Sequence, residues 1–408
     1  MIVKLGIKVY PSEDLKSVRI ACGINGQWDS DSHSCDDNGC RKVMLGSASR
    51  TGVANLPLHY GKAPPWLFQR MSRLAREISI IIVSDFGADE MLRKMSDPYW
   101  FQALGCVLGY DWHSSGVTTT VCGALKDGLK GLEKDLGFFV AGGKGRTSRK
   151  TPSEIEGFGP QISVDPAGLV YASRMSAKVD SAALQDGYQL YHHCFFFTQK
   201  GSWAVVQQGM NEVNRYARRY HWLGEGVGDF VCEPHAAICS EGRGEVLNLV
   251  AKESTPARTT ITAVSTEQPL QSTLADLSKL QTLDLPARHQ IHLQDIHPDR
   301  LGKGLTVIYD RQPKGFEELL SLEHVGPKTI RALSLISELI YGVPASYRDP
   351  ARFSFAHGGK DGIPFPVDRK TYDQSIELLA KAIQRSKIDV SEKREAFRRL
   401  DGSFRRLS

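Results

Sequence analysis

The sequence predicts an α+β protein: a mixed N-terminal and central region with a small antiparallel sheet, then a mostly helical C-terminal region. Three observations carry that expectation. Aromatic and β-branched runs, Leu190–Thr198 and Trp203–Gln208, flank the turn Gln199-Lys200-Gly201-Ser202, which is a hairpin signal. Apolar residues at 67, 68, 71, 74 and 78 follow helical spacing. From Ser272 onward the apolar pattern is helical again, and two short helical segments there are joined by a tight turn holding Gly326 and Pro327.

Residues 1–46 read as a partly flexible extension, with one short strand over Ile2–Val9 and a polar loop after it. Cys22, His33, Cys35 and Cys40 stand there, but their spacing is irregular for zinc and the chain has no CxxC pair. Reduced thiols are the expectation. A mixed core domain is expected over 48–255. Its first helix starts near Pro65, where the missing N–H costs nothing, and runs from Trp66 to about Ser79; Ile80–Val83 extend it or begin a strand. Further helices are expected over Asp89–Met95, Pro98–Leu108 and Thr118–Lys130. Pro98–Leu108 carries no charge and so should be buried. Phe138–Ala141 is a short strand before the hairpin, and Tyr216–Trp222 is helical or extended. Residues 254–268, rich in Thr, Ser and Pro, read as a linker. A helical domain over 268–390 holds Thr273–Leu280, the turn-linked pair and Ser375–Ser386. Residues 391–408 read as a frayed basic tail, with Arg398, Arg399, Arg405 and Arg406.

Composition narrows the function classes. The chain has 408 residues, 41% hydrophobic and 24% charged, with a net charge of +5. That is an ordinary globular balance, and mild basicity permits a polyanion partner without demanding one. No apolar run approaches the roughly 20 residues that span a bilayer. The first residues lack a signal-peptide pattern, so a cytoplasmic protein without membrane contact is expected.

The Val325-Gly326-Pro327-Lys328-Thr329 turn resembles the helix-hairpin-helix motif of DNA-binding proteins. The resemblance implies that Gly326, Lys328 and Thr329 hold one phosphate and that Arg331 adds charge, since a glycine admits close approach and a helix N-terminus offers N–H groups. Such contacts are independent of base sequence. In glycosylases that use this hairpin, a lysine at the position resembling Lys328 forms a Schiff base, assisted by an aspartate in a Pro-Val-Asp segment. Here Pro366-Val367-Asp368 follows, at a longer gap than that resemblance needs, and the upstream helices are too few.

Polar residues also crowd the central strands: Asp180, Asp186, His192, His193, Gln207, Gln208, Arg218 and Arg219. A strand buried on both faces has little other use for them. Asp180 and Asp186 are the candidate ligands for Mg²⁺ or Mn²⁺, with Lys144 or Lys178 to neutralise charge and Gln207 and His192 beside them. Alternation along a strand points His192 and His193 to opposite faces. A glycine-rich loop, Gly142-Gly143-Lys144-Gly145-Arg146, continues through Arg149 and Lys150. It suits phosphate binding but lacks Walker spacing. Arg146, Lys150 and Arg219 join the expected DNA contacts. Asp111-Trp112-His113-Ser114-Ser115 reads as a loop capping the next helix, and Ala356–Pro364 as a glycine-rich loop.

Segments 50–67, 96–116, 139–145 and 180–193, including Asp180-Ser-Ala-Ala-Leu-Gln-Asp186-Gly-Tyr-Gln-Leu-Tyr-His192-His193, are similar to the family known as domain of unknown function 763. The resemblance covers about residues 48–390 and implies an archaeal source, with no catalytic residue to carry over. The leading expectation is a DNA-binding protein that processes or repairs DNA, a metal-dependent nuclease. The alternatives are a glycosylase or abasic-site lyase using Lys328 and Asp368, and a non-catalytic DNA-binding or scaffold protein.

Overall fold

Side chains alternate across a β-strand, and in the central strands of this protein both sets are buried. The computed structural model describes residues 5–11, 18–24, 63–110, 114–213, 215–240, 243–280, 298–351 and 369–405. The chain divides into two units, Met1–Ser49 and Arg50–Ser408. In the first, β1 (Leu5–Pro11) and β2 (Val18–Ile24) form an antiparallel pair, with Leu5 opposite Ile24. The expectation of one strand over Ile2–Val9 is thus replaced by a two-stranded hairpin. His33, Cys35 and Cys40 lie outside the described residues.

The second unit opens with four helices: α1 (Pro65–Phe86), α2 (Ala88–Ser96), α3 (Pro98–Leu108) and α4 (Gly116–Gly128). Ile80–Val83 therefore extend α1. Asp97 caps α3, accepting from Tyr99 N at 2.8 Å and Trp100 N at 3.3 Å, while Pro98 occupies the first turn, where its missing N–H is harmless. Every residue of α3 is buried, as its lack of charge requires. A short helix α5 (Glu133–Leu136) leads into β3 (Phe138–Lys144). Then come α6 (Thr151–Gly157), α7 (Pro166–Lys178), a π-helical turn over Val179–Ala183 and β4 (Leu184–Gln185).

The sheet is built from β3, β5 (Gln189–Thr198), β6 (Trp203–Asn211), β7 (Tyr216–Leu223) and β8 (Ala237–Cys239), antiparallel throughout in that order. Tyr216–Leu223 is extended, paired along its length with β6. On one face Phe138, Val140, Cys194, Phe196, Ala204 and Val206 pack with α1–α4. On the other, Phe139, Ala141, Phe195, Phe197, Val205 and Trp222 pack with α7 and the helices between residues 255 and 339. Helices on both faces explain the unbroken apolar runs. A second sheet, order β10-β9-β4, uses β9 (Glu245–Asn248) and β10 (Ser346–Arg348).

Residues 254–268 are no linker. They form α8 (Thr255–Glu267), with Pro256 in its first turn. Ala257, Ile261 and Val264 are buried at helical spacing. The hydroxyls that suggested a loop bond back along the helix instead: Thr259 to Thr255 O, Thr262 to Arg258 O and Ser265 to Ile261 O, at 2.7–3.1 Å. Tertiary burial has overridden weak helix propensity. The chain continues through α9 (Leu270–Leu280), α10 (Pro298–Arg311), α11 (Phe316–Ser321), α12 (Pro327–Leu339), α13 (Arg369–Arg385) and α14 (Val390–Arg405). One core joins the sheet to α8–α12, within the unit Arg50–Ser408. The expected frayed tail is α14: Ala396 and Leu400 are buried, and Arg399 Nε donates to Val107 O at 3.0 Å. Among the described residues no helix is long and apolar enough to cross a membrane.

Because Ile261 is fully buried, Ile261→Ala should cost about 2–5 kcal/mol in urea unfolding. A cost near zero would return this segment to a linker.

Candidate functional site

The sheet brings the polar residues of the sequence to one end, where β5 begins, β6 ends and β7 begins. Pairing sets Lys144 opposite His192, His193 opposite Gln207, and Gln208 opposite Arg219. Neighbouring residues fall on opposite faces, so the crowd divides into separate groups.

On the face beneath α7, a chain of hydrogen bonds converges on Asp180. Gln207 Nε2 donates to Asp180 Oδ2 at 2.6 Å and to Ser176 O at 3.2 Å. Its Oε1 therefore faces His193 Nδ1, 2.8 Å away, and that nitrogen carries the proton. His193 Nε2 is left to accept from Ser173 Oγ at 2.9 Å. Trp222 Nε1 adds a bond to Asp180 Oδ2 at 3.0 Å, and His235 Nε2 lies 2.5 Å from Oδ1. Burial lowers the His193 pKa, against smaller opposing effects of Gln207 and Asp180. Asp180 sits in the π-helical turn that ends α7. His235 was not singled out from the sequence; its position before β8 carries no local signal, and only the loop 224–236 brings it to Asp180.

Asp186 belongs to another group. Its Oδ2 accepts from Arg218 Nη1 at 3.0 Å and Tyr220 Oη at 2.7 Å, and its Oδ1 from Tyr188 N at 3.0 Å. Arg218 also forks onto Asp349, at 3.1 and 2.7 Å, and lies 4.6 Å from the centre of the Tyr188 ring. Burial raises the Asp186 pKa, opposed most by Arg218. Asp180 and Asp186 share no hydrogen-bond partner among the described residues. Both oxygens of each accept within the protein, and the two carboxylates belong to separate hydrogen-bonded groups. Among the described residues no three His, Cys, Asp or Glu side chains gather as a metal site.

The opposite face holds His192, Gln208 and Arg219. Arg219 is fully buried, bonded to Gln102 Oε1 at 3.1 Å and stacked on Phe101 at 4.6 Å. Burial lowers its pKa to about 10. It is placed in the core, away from any nucleic-acid surface. Both ring nitrogens of His192 are buried without a hydrogen bond, as is Gln208 Oε1. Burial pushes the His192 pKa down to about 3.

Two cationic features reach the surface. Lys144, Arg146, Arg149 and Lys150 are all exposed, and none has an ion-pair partner among the described residues. Lys144 lies over the Tyr191 ring at 5.7 Å. The loop is pinned at Gly142, whose N–H donates to Glu154 at 2.7 Å and whose carbonyl accepts from Lys126 at 2.8 Å. Gly142 has φ +89°, and a Cβ there would sit 2.3 Å from His193 O, so no other residue fits.

The second feature is the α11–α12 turn. Lys178 Nζ donates to Leu322 O at 3.1 Å and Val325 O at 2.5 Å, and burial lowers its pKa. Gln185 Nε2 donates to Pro327 O at 2.8 Å, and Gly326 O accepts from Ile330 N at 3.0 Å. The negative ends of these peptides are thus taken up within the protein. α12 begins at Pro327, and its first intrahelical bond of this kind runs from Ile330 N to Gly326 O. Lys328 is exposed, whereas Thr329 is buried and Arg331 donates to Gln185 Oε1 at 2.7 Å. Gly326 has φ −124° and open space where a Cβ would stand. Neither backbone strain nor crowding within the protein calls for a glycine there. Asp368 lies outside the described residues, as do Asp111–His113 and Ala356–Pro364.

Two outcomes follow. Asp186→Ala leaves Arg218 buried with one carboxylate fewer, and should cost about 3–5 kcal/mol in urea unfolding; a loss under ~1 kcal/mol would show that Asp349 alone suffices. His192, His193 and His221 all have pKa values depressed by burial, so below the ordinary 6.5 the unfolded chain binds more protons than the folded one. Stability should therefore fall as pH drops from 6.5, by up to about 1.4 kcal/mol per pH unit for each histidine, reaching toward pH 3 for His192. His192→Leu should flatten that dependence by one proton, and an unchanged slope would contradict its buried neutral state.

Neither the curated proteins nor the solved structures contain a match to this chain. The family model described as protein of unknown function (DUF763) matches residues 52–367, most of the sequence, and the chain belongs to that family.

Proposed function

We propose that the protein binds the phosphate backbone of DNA, with the α11–α12 turn acting as a helix-hairpin-helix. The observation that carries this reading is Gly326. A half-buried glycine with open space at its Cβ position, preceding a 13-residue helix, leaves room for a phosphate oxygen against the helix N-terminus. The carbonyls of Leu322, Val325 and Pro327 are taken up by Lys178 and Gln185, which leaves the N–H side of the turn to a ligand. Lys328 adds a solvent-exposed charge.

The exposed cations of the loop 144–150 offer a second place for a phosphate backbone. Lys144 pairs with His192, seven residues after Gln185, and Gln185 touches both Pro327 and Arg331. Contacts of this kind grip the backbone without reading bases. A DNA-processing enzyme is the job that a buried, hydrogen-bonded carboxylate and histidine beside such a track support best.

Gly326→Asp separates this reading from a structural one. Aspartate is a favourable N-cap, and among the described residues no atom crowds its Cβ, so the melting temperature should hold or rise. Its charge opposes phosphate, and affinity for labelled duplex or single-stranded DNA should drop about tenfold or more. Lys328→Ala should reduce the salt dependence of binding by about one counterion. DNA affinity unaffected by Gly326→Asp would end the proposal.

A further inference from the structure

We infer that His235 is the general base of a phosphodiester-cleaving site, held in place by Asp180; this rests on the DNA-binding reading above. The tautomer follows from the hydrogen bonds. Asp180 Oδ1 can only accept from His235 Nε2, 2.5 Å away, so Nε2 carries the proton and Nδ1 carries the lone pair. Nδ1 has no hydrogen-bond partner among the described residues, and the side chain is 7% exposed. The basic nitrogen is therefore turned away from the carboxylate that orients the ring. This is the arrangement of a base supported by a third group.

The ring is held in place. Trp222 packs against it with centroids 4.6 Å apart and Tyr220 at 6.2 Å. Trp222 and Gln207 in turn fix Asp180. The loop carrying His235 is tied on both sides, by Glu233 N to Val250 O at 2.7 Å and Ala236 N to His221 O at 2.9 Å. Glu233 itself is in the left-handed region at φ +47°, an unfavourable conformation for a residue with a Cβ, of the kind that gathers at functional sites.

Its place relative to the proposed DNA track is set by α7. Lys178 grips the α11–α12 turn, and Asp180, two residues later, grips His235. A lysine side chain and one helical turn span on the order of 15 Å. That is about four or five nucleotides of duplex rise at roughly 3.4 Å each. That reach allows a strand anchored at Gly326 to present a neighbouring phosphodiester to His235. In the reaction, Nδ1 takes a proton from water and the water oxygen attacks phosphorus. The bond from phosphorus to the leaving sugar oxygen breaks, that oxygen takes a proton from solvent, and His235 returns its own proton to solvent.

The test uses the full chain with end-labelled single-stranded, duplex and abasic DNA in Mg²⁺, Mn²⁺ or EDTA. Cleavage by the wild type should fall about 100-fold or more in His235→Ala with DNA affinity unchanged. Added imidazole should restore part of that loss, which a merely structural histidine would not allow. Asp180→Asn, which keeps one acceptor oxygen, should lower kcat while leaving KM in place, as expected of a positioning residue. His235→Gln, closer in size, guards against a folding defect in the alanine variant and should be equally inactive. A wild type that binds DNA but cuts none of these substrates overturns this assignment and leaves the binding proposal standing. Failure to bind at all removes both. Full activity in His235→Gln, or a loss in His235→Ala that imidazole cannot restore, also overturns it.

Discussion

A sheet covered by helices on both faces offers no water to the polar side chains it carries. That constraint organises the rest of this protein. Each buried donor or acceptor left unpaired costs about 1–3 kcal/mol, so Gln207, His193, Arg218 and Arg219 are each locked to named partners rather than left to solvent. Among the described residues, the ring nitrogens of His192, Gln208 Oε1, Trp100 Nε1 and His221 Nε2 are exceptions on the α1–α4 face.

The same constraint separates carboxylates that the chain places close together. Asp180 and Asp186 are six positions apart, yet they meet different chemistry. Asp186 neutralises an arginine that is itself shared with Asp349, and so ties the sheet to β10. Asp180 faces no arginine or lysine in its hydrogen bonds. Its donors are an amide, an indole and an imidazole, which hold a carboxylate in position without consuming it in a full ion pair. A network of that kind is rigid only while every member is satisfied.

The end of α7 joins this interior to the surface. The helix presents Lys178 to the carbonyls of the α11–α12 turn and then loosens into a π-helical turn that presents Asp180 to the sheet. π-helical turns are uncommon and tend to mark functional positions. Cations separate in the same way: Arg218 and Arg219 are core residues, whereas Lys144, Arg146, Arg149, Lys150 and Lys328 are exposed.

Local pattern by itself determined the α+β class, the β5–β6 hairpin and its turn, the uncharged α3, and the α11–α12 turn with Gly326. Each of those is a statement about residues within one or two turns of each other, where periodicity and backbone freedom act. It misjudged α8, because hydroxyl-rich composition resembles a loop until Ile261 and Val264 find a core to enter. It also gave Arg219 to the surface, because nothing in Tyr216–Leu223 says which side meets α3. Only the tertiary structure decided that Asp180 pairs with His235, 55 positions on, and Arg218 with Asp349, 131 positions on. Those partners are chosen by which strands and helices pack together, and desolvation then makes each choice binding.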